Sequence, residues 1–210
     1  MQPIPQSGLY YPNKFGRILI QSLESVLGRN GVNSILNLAN LPGRMDYLPQ
    51  DDFEKQFDFT ELSSILAALE EIYGVRGGRG LAVRAGNATF SAALRDYGAL
   101  AGISNPVFKG LPLEVKLHVG LPAIARILSQ LSDQISTVEE IDSRMIFSVH
   151  RCPACHGRHA ESPECAFILG LLQEGLKCIT DGNEFRVIES QCLAMGDPAC
   201  IFTIDREPHD

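Results

Sequence analysis

Residues 189–202 read Glu189-S-Q-Cys192-L-A-M-Gly196-Asp197-P-A-Cys200-I-F, and this stretch decides the fold. Two runs with strand character, Glu184 to Cys192 and Cys200 to Ile204, flank a loop over 193–199 rich in turn formers, which is the pattern of a hairpin. Folding it places Cys192 roughly opposite Cys200. With a period of two, Glu189 shares a face with Phe185 and Val187. A carboxylate on an apolar face is costly unless it is paired or holds a cation. Zinc would remove that cost, since it binds thiolates near ~2.3 Å and carboxylate oxygens near ~2.0–2.2 Å in a tetrahedron. One hairpin thus supplies two thiolates and a carboxylate, and the fourth ligand must come from elsewhere.

Two sources are open. One is Cys165, at the start of an apolar helix. The other is the knuckle Cys152-Pro153-Ala154-Cys155, whose two thiolates could join Cys192 and Cys200, with His150, His156 and His159 as further donors. A set of four protein ligands is closed and therefore structural. Cys178 reads instead as a small core residue. A redox reading of C-x2-C would draw on Arg151 and the histidines to lower a thiol pKa. Such a motif usually opens a helix beside a parallel sheet, and Pro153 and the loop setting do not support it.

Working back along the chain, Cys165 to Ile179 is an apolar helix, Asp181-Gly182 a turn, and Thr137 to Val149 strand material. Upstream the period is helical. Asn13 caps a helix to about Leu27, Gly28 and Gly31 punctuate it, and Val32 to Leu38 is a short second helix. Residues 40–57 read as a loop. Asp58 and Glu61 resemble a capping box for a helix that Gly74 stops. GVRGGRG, residues 74–80, reads as a basic turn. An Ala-rich helix follows to about Leu100, in which Ala85, Gly86, Ala88, Ala92 and Ala93 let another helix approach closely. Pro112 to Val119 is ambiguous between strand and helix, and Pro122 starts a helix through Leu131. The pattern is α+β: helices first, then a small antiparallel sheet with one helix inserted. Residues 1–12 are an irregular N-terminal segment, 13–134 the helical part, and 135–210 the zinc-binding sheet part of the same domain.

Composition bounds the function. All six cysteines of the 210 residues lie between Cys152 and Cys200. The net charge of −7 argues against nucleic acid or an anionic membrane as partner. The N-terminus lacks the features of a signal peptide, and charges interrupt every helix before a membrane span is complete. The expectation is a cytoplasmic protein with reduced thiols. Arg76, Arg79 and Arg84 at a helix N-terminus could hold a carboxylate or phosphate, against the plainer reading of a solvated turn. The turn is neither a Walker loop nor a dinucleotide fingerprint. Phe90, Tyr97, Phe108 and Phe147 fit core as well as pocket, and His118 reads as a core or surface histidine.

The segment Cys165-A-F-I-L-Gly170 and the 189–202 stretch together resemble the end of the 4-vinyl reductase (4VR) domain. That family includes a bacteriochlorophyll-synthesis protein and sensory domains of aromatic-responsive transcription activators, and is distantly similar to TRAPP transport subunits. The resemblance is strongest over about 145–205. It implies an α+β fold of the NO-signalling and Golgi-transport ligand-binding type, often dimeric, with structural zinc on Cys165, Glu189, Cys192 and Cys200. It also implies a pocket between helices and sheet for a small hydrophobic ligand: a hydrocarbon, aromatic, lipid or tetrapyrrole. Cys152 and Cys155 are an addition that the sensors lack, leaving room for a second metal-binding or redox role or for ligand exchange. The expected function is a stand-alone homodimeric sensor or carrier that signals through a partner protein. The alternatives are an enzyme or accessory factor of bacteriochlorophyll biosynthesis that reduces a vinyl group, and a structural assembly subunit. No catalytic residues are assigned, because no nicotinamide, flavin or iron–sulfur motif supplies the reducing equivalents.

Overall fold

The computed structural model describes residues 3–101 and 105–208, with side chains for all of these except 97–101. Tyr97, named above, therefore has no described side chain. In chain order the elements are β1 (Tyr10–Pro12), α1 (Asn13–Leu38), β2 (Lys55–Asp58), α2 (Phe59–Ala101), α3 (Pro106–Lys109) and α4 (Leu113–Leu131). Then come β3 (Ser136–Ile141), β4 (Arg144–Val149), α5 (Ala166–Ile179), β5 (Phe185–Gln191) and β6 (Cys200–Pro208). The fold is α+β, as the pattern of elements predicts. β3 to β6 form one antiparallel sheet in the order β3-β4-β6-β5, with α5 inserted in the chain between β4 and β5.

One face of this sheet is apolar and covered. Met145, Phe147 and Val149 on β4, Phe185 and Val187 on β5, and Cys200, Phe202 and Ile204 on β6 are buried on it at alternate positions. α5 packs against this core through Phe167, Leu172 and Leu176. The second half of α2 crosses α5 at glycine positions, which lets the two backbones touch. A Cβ at Gly86 would overlap the Phe167 carbonyl oxygen and lie 2.9 Å from Leu171 N. One at Gly170 would overlap the Val83 carbonyl oxygen and lie 2.9 Å from its carbon. The Asn87 amide, with its NH2 turned toward this crossing, donates to Gly170 O at 2.7 Å and Val83 O at 3.2 Å.

Several sequence expectations are corrected. Gly28 (φ 71°, ψ 163°) and Gly74 (φ 73°, ψ 164°) do break their helices, because only glycine takes this conformation without strain. Yet each break is a sharp kink, and helix resumes at the next residue. The GVRGGRG segment is thus the beginning of the second half of α2. Pro12 holds the N-cap of α1, and the Asn13 side chain donates instead to Asp52 and Gln56. The capping box at the start of α2 does form: Asp58 Oδ1 accepts the Thr60 N–H at 2.7 Å and the Glu61 carboxylate bonds the Asp58 backbone, while also pairing with Arg44. α4 begins at Leu113, so Pro112–Val119 is mostly helical and Pro122 lies inside the helix. Thr137–Val149 is a hairpin turning at Asp142 (φ 47°) and Ser143 (φ 61°). The irregular N-terminal segment and the 40–57 loop each contribute to a small sheet: Tyr11 of β1 pairs with Phe57 of β2.

Candidate metal centre

Five of the six cysteines meet where the loop over 150–164, the start of α5 and the β5–β6 connection converge. All five are buried. Sγ to Sγ distances are 3.4 Å for Cys152–Cys165, 3.5 Å for Cys155–Cys200 and 3.5 Å for Cys165–Cys200. Cys192 lies 3.7 Å from Cys165 and 3.9 Å from Cys200. A tetrahedral zinc–thiolate site has ligand sulfurs about 3.8 Å apart, as bonds of ~2.3 Å require. The sulfur spacings, 3.4–3.9 Å, lie close to that value.

Each ligand position has a local cause. β5 runs into Cys192, whose N–H is accepted by Asp197 Oδ2 at 2.8 Å. A single 3-10 turn over Leu193–Met195 follows, closed by Gly196 at φ 90°. This turn brings the Leu193 N–H to 3.4 Å from Cys200 Sγ, where it favours a thiolate. The Gly-Asp pair of the motif is thereby explained: glycine supplies the left-handed backbone and aspartate ties down the strand end. Cys200 begins β6 and is held by pairing with Val149 of β4. Cys165 is the N-cap of α5, where the helix dipole favours negative charge.

Glu189 is buried on β5 beside Phe185 and Val187, as the alternation predicts. Its Oε2 accepts the Cys165 N–H at 2.9 Å, while its Oε1 is buried with no hydrogen-bond partner. Burial holds its carboxyl above the usual carboxylate range. The thiols press on one another in the same way. Hydrogen bonding to Cys152 leads the causes that raise Cys165 and Cys200, burial raises Cys152, and hydrogen bonding with its neighbours lowers Cys155. Negative charge crowded into a dry site is relieved by a cation.

Cys152 and Cys155 join the cluster, which resolves the open question of their location. Their loop is pinned from several sides. Ser63 Oγ donates to His156 O at 2.7 Å, and Ala160 N donates to Ala194 O at 3.0 Å. Arg158 pairs with both Glu70 and Glu164, an arrangement without a local signal in the chain. Two sets of four ligand atoms each lie within 4.8 Å of one another: Cys152, Cys155, Cys165 and Cys200, and Cys165, Glu189, Cys192 and Cys200. Cys178 stands apart on α5, half-buried, with its thiol pushed up to about 11 by burial and by Glu174.

The remaining named residues lie outside this centre. Arg79 Nη1 donates to Pro163 O at 2.6 Å, and Arg76 and Arg84 are exposed. His118 lies on the surface of α4, bonded to Glu114 O and to Glu140 at 2.9 Å. Where α4 meets the sheet, a cleft of about 790 Å³ is lined mainly by polar and charged side chains, among them Glu114, Arg144, Asp205 and Arg206. No described helix is long and apolar enough to cross a membrane.

No family model matches the chain. Over 68 residues it is 34% identical to an uncharacterized protein of Methanocaldococcus jannaschii, MJ0745, a stretch covering 31% of this chain and 37% of that protein. The chain thus spans well under half of that relative. Solved structures share the fold over most of the chain at low identity. An H-NOX structure from a study of heme distortion in that family has a TM-score of 0.61 at 14% identity, covering 95% of this chain and 97% of that one. The H-NOX protein of S. oneidensis in its Fe(II)NO state has a TM-score of 0.56 at 14% identity, covering 92% and 99%. The phenol-responsive sensory domain of the transcription activator PoxR, solved with phenol, has a TM-score of 0.52 at 19% identity, covering 82% and 88%. These likenesses establish an H-NOX-like α+β fold.

Among the described residues haem finds no fitting site. It needs a flat cavity and an axial donor. The space between α5 and the sheet is filled by Phe147, Phe167 and Phe202, all fully buried. The described histidines, His118, His150, His156 and His159, are exposed or half-buried in loops and on the surface of α4. The buried sulfurs face one another rather than an open cavity.

Proposed function

We propose that the chain is a 4-vinyl-reductase-type sensor or carrier module. In this reading structural zinc on Cys165, Glu189, Cys192 and Cys200 staples the sheet to α5, and a small hydrophobic ligand binds between helices and sheet. One observation carries the metal: Glu189 has a buried oxygen, Oε1, without a partner, and its carboxylate reaches within 4.8 Å of three buried cysteine sulfurs. A cation satisfies that oxygen and relieves the carboxyl and thiols at once. The zinc would be closed to solvent and redox-inert. It would therefore fix the ends of β5 and β6 against α5, and would not act on substrate.

The ligand half of the reading is supported by the shared fold with the phenol-responsive sensory domain. Native mass spectrometry of protein purified from its own host tests both halves together. The expected result is bound zinc together with an extractable apolar molecule. Turnover of a divinyl pigment with NADPH would overturn the sensor reading in favour of an enzyme. A ligand-free protein isolated in a stable hetero-complex would overturn it in favour of an assembly subunit.

A further inference from the structure

Both foursomes of ligand atoms are complete, and they share two members. Cys165 and Cys200 belong to the set with Cys152 and Cys155 and equally to the set with Glu189 and Cys192. From this sharing we infer that the centre holds two divalent ions bridged by the Cys165 and Cys200 thiolates. The inference rests on the metal reading above and extends it from one ion to two.

The ligand count closes without remainder. One ion takes Cys152 and Cys155 as terminal ligands, the other takes Cys192 and Glu189, and each completes its four-coordination with the shared pair. A single ion in the set with Glu189 and Cys192 leaves the Cys152 and Cys155 thiols pressed against its ligands, at 3.4 Å from Cys165 and 3.5 Å from Cys200. A single ion in the set with Cys152 and Cys155 leaves Glu189 Oε1 still unpartnered, with Cys192 unused. Only double occupancy satisfies all six side chains. The charge balance is no worse. Five thiolates and one carboxylate exceed two divalent ions by two negative charges, the same excess as one ion in a four-thiolate site. The knuckle at 152–155 is also built inward, with Ala154 fully buried between its two cysteines. The thiolate-rich donor set and tetrahedral spacing select zinc over magnesium, calcium or manganese.

Each ion binds as its ligand thiols lose their protons, so loading releases protons and changes no oxidation state. The test is metal analysis and native mass spectrometry of the full chain loaded with zinc, followed by exchange with 113Cd for NMR. The expected result is two zinc ions per chain and two cadmium resonances that couple to each other through the bridging sulfurs. The resonance of the all-thiolate site should lie downfield of that of the site with one carboxylate. The double variant Cys152→Ser with Cys155→Ser should fall from two ions to one. One ion per chain in the unmutated protein would overturn the inference and leave the single-zinc reading standing. No ion at all would overturn both. Two ions without cadmium–cadmium coupling would overturn the bridge. If the double variant does not fold, the ion count and coupling in the unmutated chain still decide.

Discussion

Gly170→Ala should destabilise the protein, even though helix propensity favours alanine. Gly170 lies inside α5, where replacing glycine with alanine gains about 1 kcal/mol from backbone entropy alone. Against that stands the crossing with α2. The added Cβ would overlap the Val83 carbonyl oxygen and sit 2.9 Å from its carbon, and both atoms belong to the backbone of a helix. Comfortable carbon contacts need about 3.5–4.0 Å, so the helices must part by roughly 1 Å along much of their contact. Overpacking of this kind costs about 1–3 kcal/mol, and the higher end applies because backbone cannot rotate away. A net loss of about 2 kcal/mol follows, which for a chain of this length lowers Tm by roughly 4–8 °C. Gly80→Ala is the control: that residue is helical and exposed, and its added Cβ meets nothing within 4 Å. It should gain up to about 1 kcal/mol. Urea denaturation of both variants in the same metal-loaded state gives the comparison. A Gly170→Ala protein as stable as the parent, or more so, would refute the close crossing and the reading of Gly86 and Gly170 that rests on it.

Three further outcomes are expected. Asp197→Ala removes the acceptor of the Cys192 N–H, and should cost about 1–2 kcal/mol in urea denaturation and speed zinc loss to a chelator; unchanged stability and release would contradict the role given to the Gly-Asp turn. Gly74→Ala forces a side chain into φ 73°, ψ 164°, and should lose about 1–3 kcal/mol although space is free around it; a neutral result would mean that α2 is not kinked there. His118 has its folded pKa raised above the ordinary 6.5, chiefly by its hydrogen bond to Glu140 and then by the Glu114 carbonyl. Its contribution to stability is therefore fully present below the unfolded pKa and lost as pH rises through the folded one. NMR titration should show the raised value and its return toward 6.5 in Glu140→Gln, and an unshifted His118 in the parent would oppose this.

Much of the site was legible because its signals are local. Alternation along Phe185, Val187 and Glu189 put the carboxylate on the buried face, and the spacing of Cys192 and Cys200 about a turn put their sulfurs together. The run of small residues around Gly86 announced a close helix crossing. What could not be read was set by distant partners. β1 and β2 have three and four residues, too few for a period to show, and they exist because each pairs with the other. Gly28 and Gly74 signal a break equally well for a loop or a kink, and packing against neighbouring helices decides between them. The location of Cys152 and Cys155 depends on the path of a 15-residue loop held by Ser63, Ala194 and the Arg158 ion pairs, none of which is near in sequence except Glu164. Asn13 carried a correct helix-start signal but is spent on tertiary partners, Asp52 and Gln56, whereas Glu61 keeps its bond to the Asp58 backbone and adds Arg44.

The buried sulfurs and Glu189 are either a metal centre or merely packed thiols, and the proposed reading requires the first. Metal analysis of freshly purified, never-chelated protein tests it most directly, with Cys200→Ser and Cys178→Ser measured alongside. The account predicts stoichiometric zinc in the parent, the same content in Cys178→Ser, and loss of metal with loss of folding stability in Cys200→Ser. A parent protein that is folded, fully reduced and free of metal would contradict it.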